Sequence, residues 1–343
     1  MPITPVGGYA ARMQQPLPSV DRRAFLAGTA ALAAASVAPA VGAAADSPAP
    51  TKPQAVPTAR PSRHAGTPWP ICLDTATIRP VPLLEKIRIA SEAGYDAIEP
   101  WESELADHER SGASLADLGK RLRDLGLRVP SVIGLWNAIP ETQEAWDAQL
   151  PATRERMRMA HAIGAEHIQV IPQPERPRER FDPAWAAARY RDLLELGINE
   201  YQLVPAMVFV KFLPGARTLG QAAQIAIDSG HPQAKVIPDT FHMFIGGTPF
   251  GGLRHLRGEF IAIFQFNDAP AAPTRDELQD RHRVYPGDGV LPLQQVLRDL
   301  RQTGFTGCVS LELYNEEYWK QDPMTVARTG LEKTLAVIRS ACA

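Results

Sequence analysis

Cysteine is nearly missing from this sequence: Cys72, Cys308 and Cys342 lie far apart, with no Cys-x-x-Cys spacing. That excludes a zinc knuckle and a disulfide-dense scaffold, and the odd count leaves free thiols. Charge excess is missing too, with a formal net charge of −2 from 36 basic and 38 acidic residues. Such a chain offers no basic surface for tracking a nucleic-acid backbone. No Gly-rich phosphate loop follows the first β-rich run, which argues against a dinucleotide-binding open sheet. Beyond the N-terminal region no segment is long and apolar enough to span a membrane. What is present is ordinary globular composition, 45% hydrophobic and 22% charged, with ample apolar material for a core.

The first 67 residues differ from the rest. Arg22-Arg23 precede an Ala-rich apolar stretch that ends in Ala43-Ala44-Ala45, a small-residue cleavage candidate. This is the three-part layout of an export signal, and the adjacent arginines resemble the twin-arginine type. Residues 1–45 are therefore expected to direct export to the periplasm, leaving no membrane attachment after cleavage. An Ala-rich anchor that stays attached is the alternative. Residues 46–67 are rich in Pro, Ala and polar residues without a period, the composition of a disordered tether.

From residue 68 to 343 short β-rich runs alternate with amphipathic stretches that often close on Gly. The runs are "ICLDTAT", "YDAIEPW", "RVPSVIGLWN", "EHIQVIPQ", "YQLVPAMVFV", "KVIPDTFH", "FIAIFQFND" and "GCVSLELYN". The helix after the sixth, a short "FGGLRHLRG", is the weakest. Eight βα units of this size predict an α/β fold, a single (β/α)₈ TIM barrel, whose site lies at the carboxyl ends of the strands.

Polar residues at those ends are then the site candidates. Glu99 and Trp101 end the second run, and Trp136 ends the third. The sixth gives Asp239 and His242, the seventh Gln265, Asn267 and Asp268. In the eighth, Glu312 stands between Leu311 and Leu313, so alternation can turn it into the lumen. A carboxylate there is costly to bury unless paired or bound to a metal. Asp239, Gln265 and Glu312 come from consecutive strands and offer only oxygen donors, a set that suits Mg²⁺ or Mn²⁺. The alternative is a hydrogen-bonded polar plug around Asn267 and Arg283.

"PDTFH", "QFNDAP", "RVYPGDG" and "SLELYNEEYW" resemble, in their order, motifs of the sugar phosphate isomerase/epimerase superfamily. That superfamily has the xylose isomerase-like barrel and includes relatives of endonuclease IV. The likeness runs from about residue 70 to 340, nearly the whole barrel. It implies one divalent metal ion, Mn²⁺ or Mg²⁺, held by Asp239, Gln265 and Glu312. It further implies His242 beside the metal and Arg283 as a clamp for substrate oxygens. Gln265 stands where the family usually has His and keeps an oxygen donor. Val208, in "AMVFVKF", stands where the family has a metal-binding Glu, and it has no donor atom. DNA repair is not implied, since endonuclease IV relatives carry many more His ligands than the 8 His here could supply.

The resemblance implies a metal-dependent isomerase or epimerase acting on a sugar or polyol-derived ketone through an enediolate, with Glu312 as base. The loss at Val208 opens two alternatives: a lyase of the dehydroshikimate dehydratase type, and a binding protein or degenerate enzyme. Glu99, His242 or Lys211 are the groups that could replace the missing carboxylate. Trp101 and Trp136 are the expected aromatic contacts for a small polyhydroxylated substrate. Assembly into a homo-oligomer is left open.

Overall fold

The structure is a computed structural model and describes residues 62–172, 181–213 and 215–343; the proposed export signal and most of the tether lie outside them. The strands are β1 (Ile71–Asp74), β2 (Ala97–Glu99), β3 (Val132–Leu135), β4 (His167–Val170), β5 (Val204–Met207), β6 (Phe264–Phe266) and β7 (Val309–Leu311). All pair in parallel, as β2-β1-β7-β6 and β3-β4-β5. Single bridges close the ring. Ala97–Arg128 and Trp101–Ile133 join β2 to β3, and Val236 bridges both Met207 and Ile261. The expected sixth strand is thus an extended segment around Val236, reaching Gln265 through Asp239. The result is the eight-membered barrel the alternation predicts.

The helices outside the barrel are α1 (Leu83–Ala93), α2 (Glu102–Arg110), α3 (Leu115–Asp124), α4 (Gln143–Ala162), α5 (Pro183–Tyr201), α6 (Leu219–Asp228), α7 (Thr240–Gly246), α8 (Leu293–Gln302), α9 (Glu316–Trp319) and α10 (Pro323–Cys342). Most begin as their sequences ask: Ser114, Thr142, Asp182 and Thr218 accept from backbone N–H groups of the first turn. Three expectations change. "FGGLRHLRG" forms 3₁₀ turns, not an α-helix. α5 runs past Gly197, which is a contact point; a Cβ there would stand 2.7 Å from the Leu203 carbonyl oxygen. Ser62 to Thr67 are not loose tether, because Ser62 and the Arg63 backbone bond Asp96 and His64 bonds the Gly94 carbonyl.

Register decides which residues enter the lumen. Cys72 is level with Ala97 and Ser310, Gln265 with Ser310, Asp74 with Glu99, and Gln169 with Ala206. The alternating partners Leu73, Ile98 and Leu311 face the helices. By the same period Glu312 follows Ser310 inward, and Val208 follows Ala206.

The loop after β6 is pinned by one carboxylate. Asp268 accepts the backbone N–H groups of Ala269, Gly287, Gly289 and Leu291 at 2.8–3.1 Å. It is therefore a structural anchor for the segment that carries Arg283. A Cβ on Gly289 would meet the Ala269 carbonyl oxygen at 2.3 Å and an Asp268 oxygen at 2.4 Å. Gly289→Ala should cost about 1–3 kcal/mol, read as a lowered midpoint in urea denaturation.

Candidate functional site

Asp239 is the N-cap of α7: one oxygen accepts the His242 backbone N–H at 2.7 Å. The "PDTFH" run therefore breaks from extended chain into helix at the aspartate, and His242 sits in the first helical turn. The other Asp239 oxygen accepts from Asn267 Nδ2 at 3.0 Å and from Arg283 Nη1 at 2.9 Å. Glu312 gives one oxygen to Arg283 Nη1 at 2.6 Å and the other to the Tyr314 hydroxyl at 2.9 Å.

Arg283 is the hub. It is wholly buried, its Nη2 donates to His242 Nε2 at 2.9 Å, and its Nη2 and Nε both donate to Asp280 at 2.8 and 3.1 Å. Phe241 and Tyr314 lie against its faces, 5.2 and 5.0 Å from Cζ. All its donors are directed at protein acceptors. This overturns the expectation of Arg283 as a clamp for substrate oxygens.

Because a guanidinium has no acceptor, His242 must offer a lone pair at Nε2 and carry its proton on Nδ1. Burial is the main reason that the imidazole pKa falls, with Arg283 working the same way and Asp239 and Asp280 against it. The Nδ1–H is buried without a partner among the described residues. His242 thus presents a neutral donor.

Charge balance sets the remaining protonation states. Burial works against the Arg283 charge, but Asp239, Glu312 and Asp280 together hold it well above its usual value. Burial also opposes the Asp239 charge, and the Arg283 cation overrides it, so that carboxyl lies below the usual range. One guanidinium cannot neutralise every carboxylate around it. Glu312 is left with its pKa pushed up to about 8, by burial first, against the pull of Arg283 and with the help of Asp239 and Glu99.

Other expected residues are engaged within the barrel or in its loops. Glu99 is fully buried, with one oxygen accepting from Gln169 and the other from the Ser310 hydroxyl, each at 2.8 Å. Lys211 is drawn to the Asp276 carbonyl, strapping two loops together rather than replacing a carboxylate. Trp101 and Trp136 do meet, their rings 5.6 Å apart, with Tyr314 edge-on to Trp101 at 6.0 Å. Three residues that sequence reasoning passed over matter here: Asp280, Tyr314 and Asp74. Tyr314 carried a signal, since it shares the alternation of Glu312, and so did Asp74, the closing carboxylate of "ICLD". Asp280 carried none.

The metal set of Asp239, Gln265 and Glu312 is not formed as an open set of donors. All four carboxylate oxygens already accept hydrogen bonds, and the cation between them is Arg283. Val208 puts a buried hydrocarbon side chain where a third carboxylate would be needed. No cluster of three His, Cys, Asp or Glu suited to a metal occurs among the described residues. The residues present do not fit a divalent ion, and the polar plug around Asn267 and Arg283 is what they build. Calorimetric titration with Zn²⁺ or Mn²⁺ should accordingly show wild type binding at least about tenfold more weakly than Val208→Glu.

Removing the hub leaves the buried Asp239 carboxylate without its counter-charge. Arg283→Met should lose about 3–5 kcal/mol near neutral pH. The Asp239 pKa is depressed in the fold, so its contribution is present above the unfolded value and lost as pH falls through the folded one. The gap between wild type and variant in urea denaturation should therefore narrow below about pH 4.

The family model described as "Xylose isomerase-like TIM barrel" matches residues 87–340. An inosose isomerase of Bacillus velezensis is 24% identical over 271 residues, 78% of this chain and 96% of that protein. A 3-dehydroshikimate dehydratase of Pseudomonas aeruginosa is 25% identical over 258 residues, 74% of this chain but 39% of that protein. Among solved structures, the IOLI protein with a bound zinc atom superposes with a TM-score of 0.73 at 22% identity, over 79% of this chain and 98% of that one. An L-ribulose 3-epimerase gives 0.63 at 18% identity, over 79% and 95%.

Proposed function

Because this chain belongs to the xylose isomerase-like TIM barrel family, we propose that it is an isomerase or epimerase that moves a proton beside the carbonyl of a polyhydroxylated ketone. The observation that carries this is Glu312: a buried carboxyl at the end of a barrel strand, with a pKa about 8. A group so placed exchanges protons readily near neutral pH. The Trp101, Trp136 and Tyr314 rings supply an apolar wall for the C–H face of a ring. The inosose isomerase likeness, which spans nearly all of that relative, makes a cyclic polyhydroxy ketone the first substrate to try. His242 Nδ1–H is the donor available to a substrate oxygen. With no divalent ion accommodated, proton transfer in this reading rests on the side chains alone. Residues 1–45 add a location to the proposal, export through a twin-arginine signal.

The test is exchange of the proton beside the ketone of 2-keto-myo-inositol in D₂O, followed by NMR. Wild type should catalyse exchange with kcat/KM rising as pH rises through about 8, the ionisation of Glu312. Glu312→Gln should lower the rate by at least about 100-fold. A lyase gives an unsaturated product and takes no deuterium into the ketone. Neither exchange nor product from any polyhydroxy ketone or from 3-dehydroshikimate would leave the binding-protein reading.

A further inference from the structure

Asp74 is a buried carboxylate that the reaction above does not use. It closes β1 level with Glu99, whose side chain is bonded from β4 and β7 and so lies in the lumen. Asp74 therefore shares that interior face, at the same end of the barrel as Glu312. It is fully buried, and only one of its oxygens has a task, accepting the Ala76 N–H at 2.7 Å as the cap of the 3₁₀ turn Thr75–Ile78. The other, Oδ2, is buried and has no partner among the described residues. An unpaired buried carboxylate oxygen is expensive unless something else occupies it.

The surroundings hold this side chain in place beside the end of β7. The Thr77 hydroxyl donates to the Leu311 carbonyl and accepts from the Leu313 N–H. Trp319 Nε1 donates to the Ala76 carbonyl, and the Thr75 hydroxyl donates to Glu104, which is itself paired with Lys86. The turn after β1 is thus laced to the strand that carries Glu312, and it is rigid in the way a proton-transfer group needs. Burial, then the Glu312 and Glu99 charges, push the Asp74 pKa well above the carboxylate range. Both effects favour its neutral, proton-bearing form.

We propose that Asp74 is the second proton-handling group of the site, acting on substrate oxygen while Glu312 acts on carbon. The assignment rests on the isomerase reading. Glu312 as carboxylate takes the proton from the carbon beside the ketone, and the C–H electron pair forms the enediol double bond. Asp74 gives its proton to the carbonyl oxygen as that C=O becomes C–OH. In the second half the neighbouring hydroxyl returns a proton to the Asp74 carboxylate, and Glu312 delivers its proton to the former carbonyl carbon. Both carboxyl groups finish as they began, and no redox partner is needed. The acid on oxygen adds to the carbonyl polarisation by the His242 Nδ1–H in a site whose Asp239 and Glu312 oxygens are already bonded.

Asp74→Asn keeps an oxygen for the cap but has no acidic proton, and Asp74→Ser keeps the cap with a hydroxyl should the first variant fold poorly. With 2-keto-myo-inositol in D₂O, the folded variant should lose at least about 100-fold in kcat for exchange and turnover together, with KM nearly unchanged. A purely structural cap predicts wild-type kcat in both variants, and that result would overturn the assignment while leaving the isomerase reading intact. Failure of wild type to exchange the proton of any polyhydroxy ketone would overturn the isomerase reading, and this assignment with it.

Discussion

A single buried guanidinium organises the mouth of this barrel. Arg283 arrives on the loop after β6 and spends its donors on Asp239, Glu312, Asp280 and His242. Its charge is what allows Asp239 to be buried as an anion. The consequences spread outward from it. Asp239 stays ionised and caps α7, His242 is fixed as the Nδ1–H tautomer, and Glu312 keeps a proton close to neutral pH because it is buried and the positive charge is already shared with Asp239.

That arrangement bears on how the family scaffold is used in this chain. A solved barrel of the same fold holds a bound zinc atom. Here a cation is present in covalent form, as a side chain, and the strand-five position that would complete a metal's donors is the hydrocarbon Val208. An arginine carries its charge permanently and cannot be lost to a chelator. It also cannot bind a carbonyl oxygen once its donors are committed. In the proposed reaction the electrophilic work falls to neutral donors nearby, the imidazole Nδ1–H and a protonated carboxyl. Asp74 and His242 each keep one buried polar atom without a partner among the described residues.

Much of this was legible in the chain. The alternation of β-rich runs and amphipathic stretches gave the barrel, and Asp239, His242 and Glu312 were each visible as polar residues breaking an apolar run. The choice between a metal site and a polar plug was not legible. It depends on where Arg283 sits, 44 residues from Asp239 and 29 from Glu312 in the chain, and no periodicity reports a loop's return path. Glu99 and Lys211 illustrate the same limit. Both looked available as acids or bases, yet one is sealed by Gln169 and Ser310 and the other is tied to a loop carbonyl.

By itself the sequence determined the fold class, the positions at which strands end, and the absence of a donor atom at Val208. These follow from local properties: side-chain period, helix caps and residue chemistry. The tertiary structure alone decided which carboxylates share a cation, which keep a proton, and which oxygen, that of Asp74, is left unpaired. Those are properties of distance and solvent exclusion between distant segments. Electrostatic energy in a dry lumen depends on both far more steeply than on any neighbour in the chain.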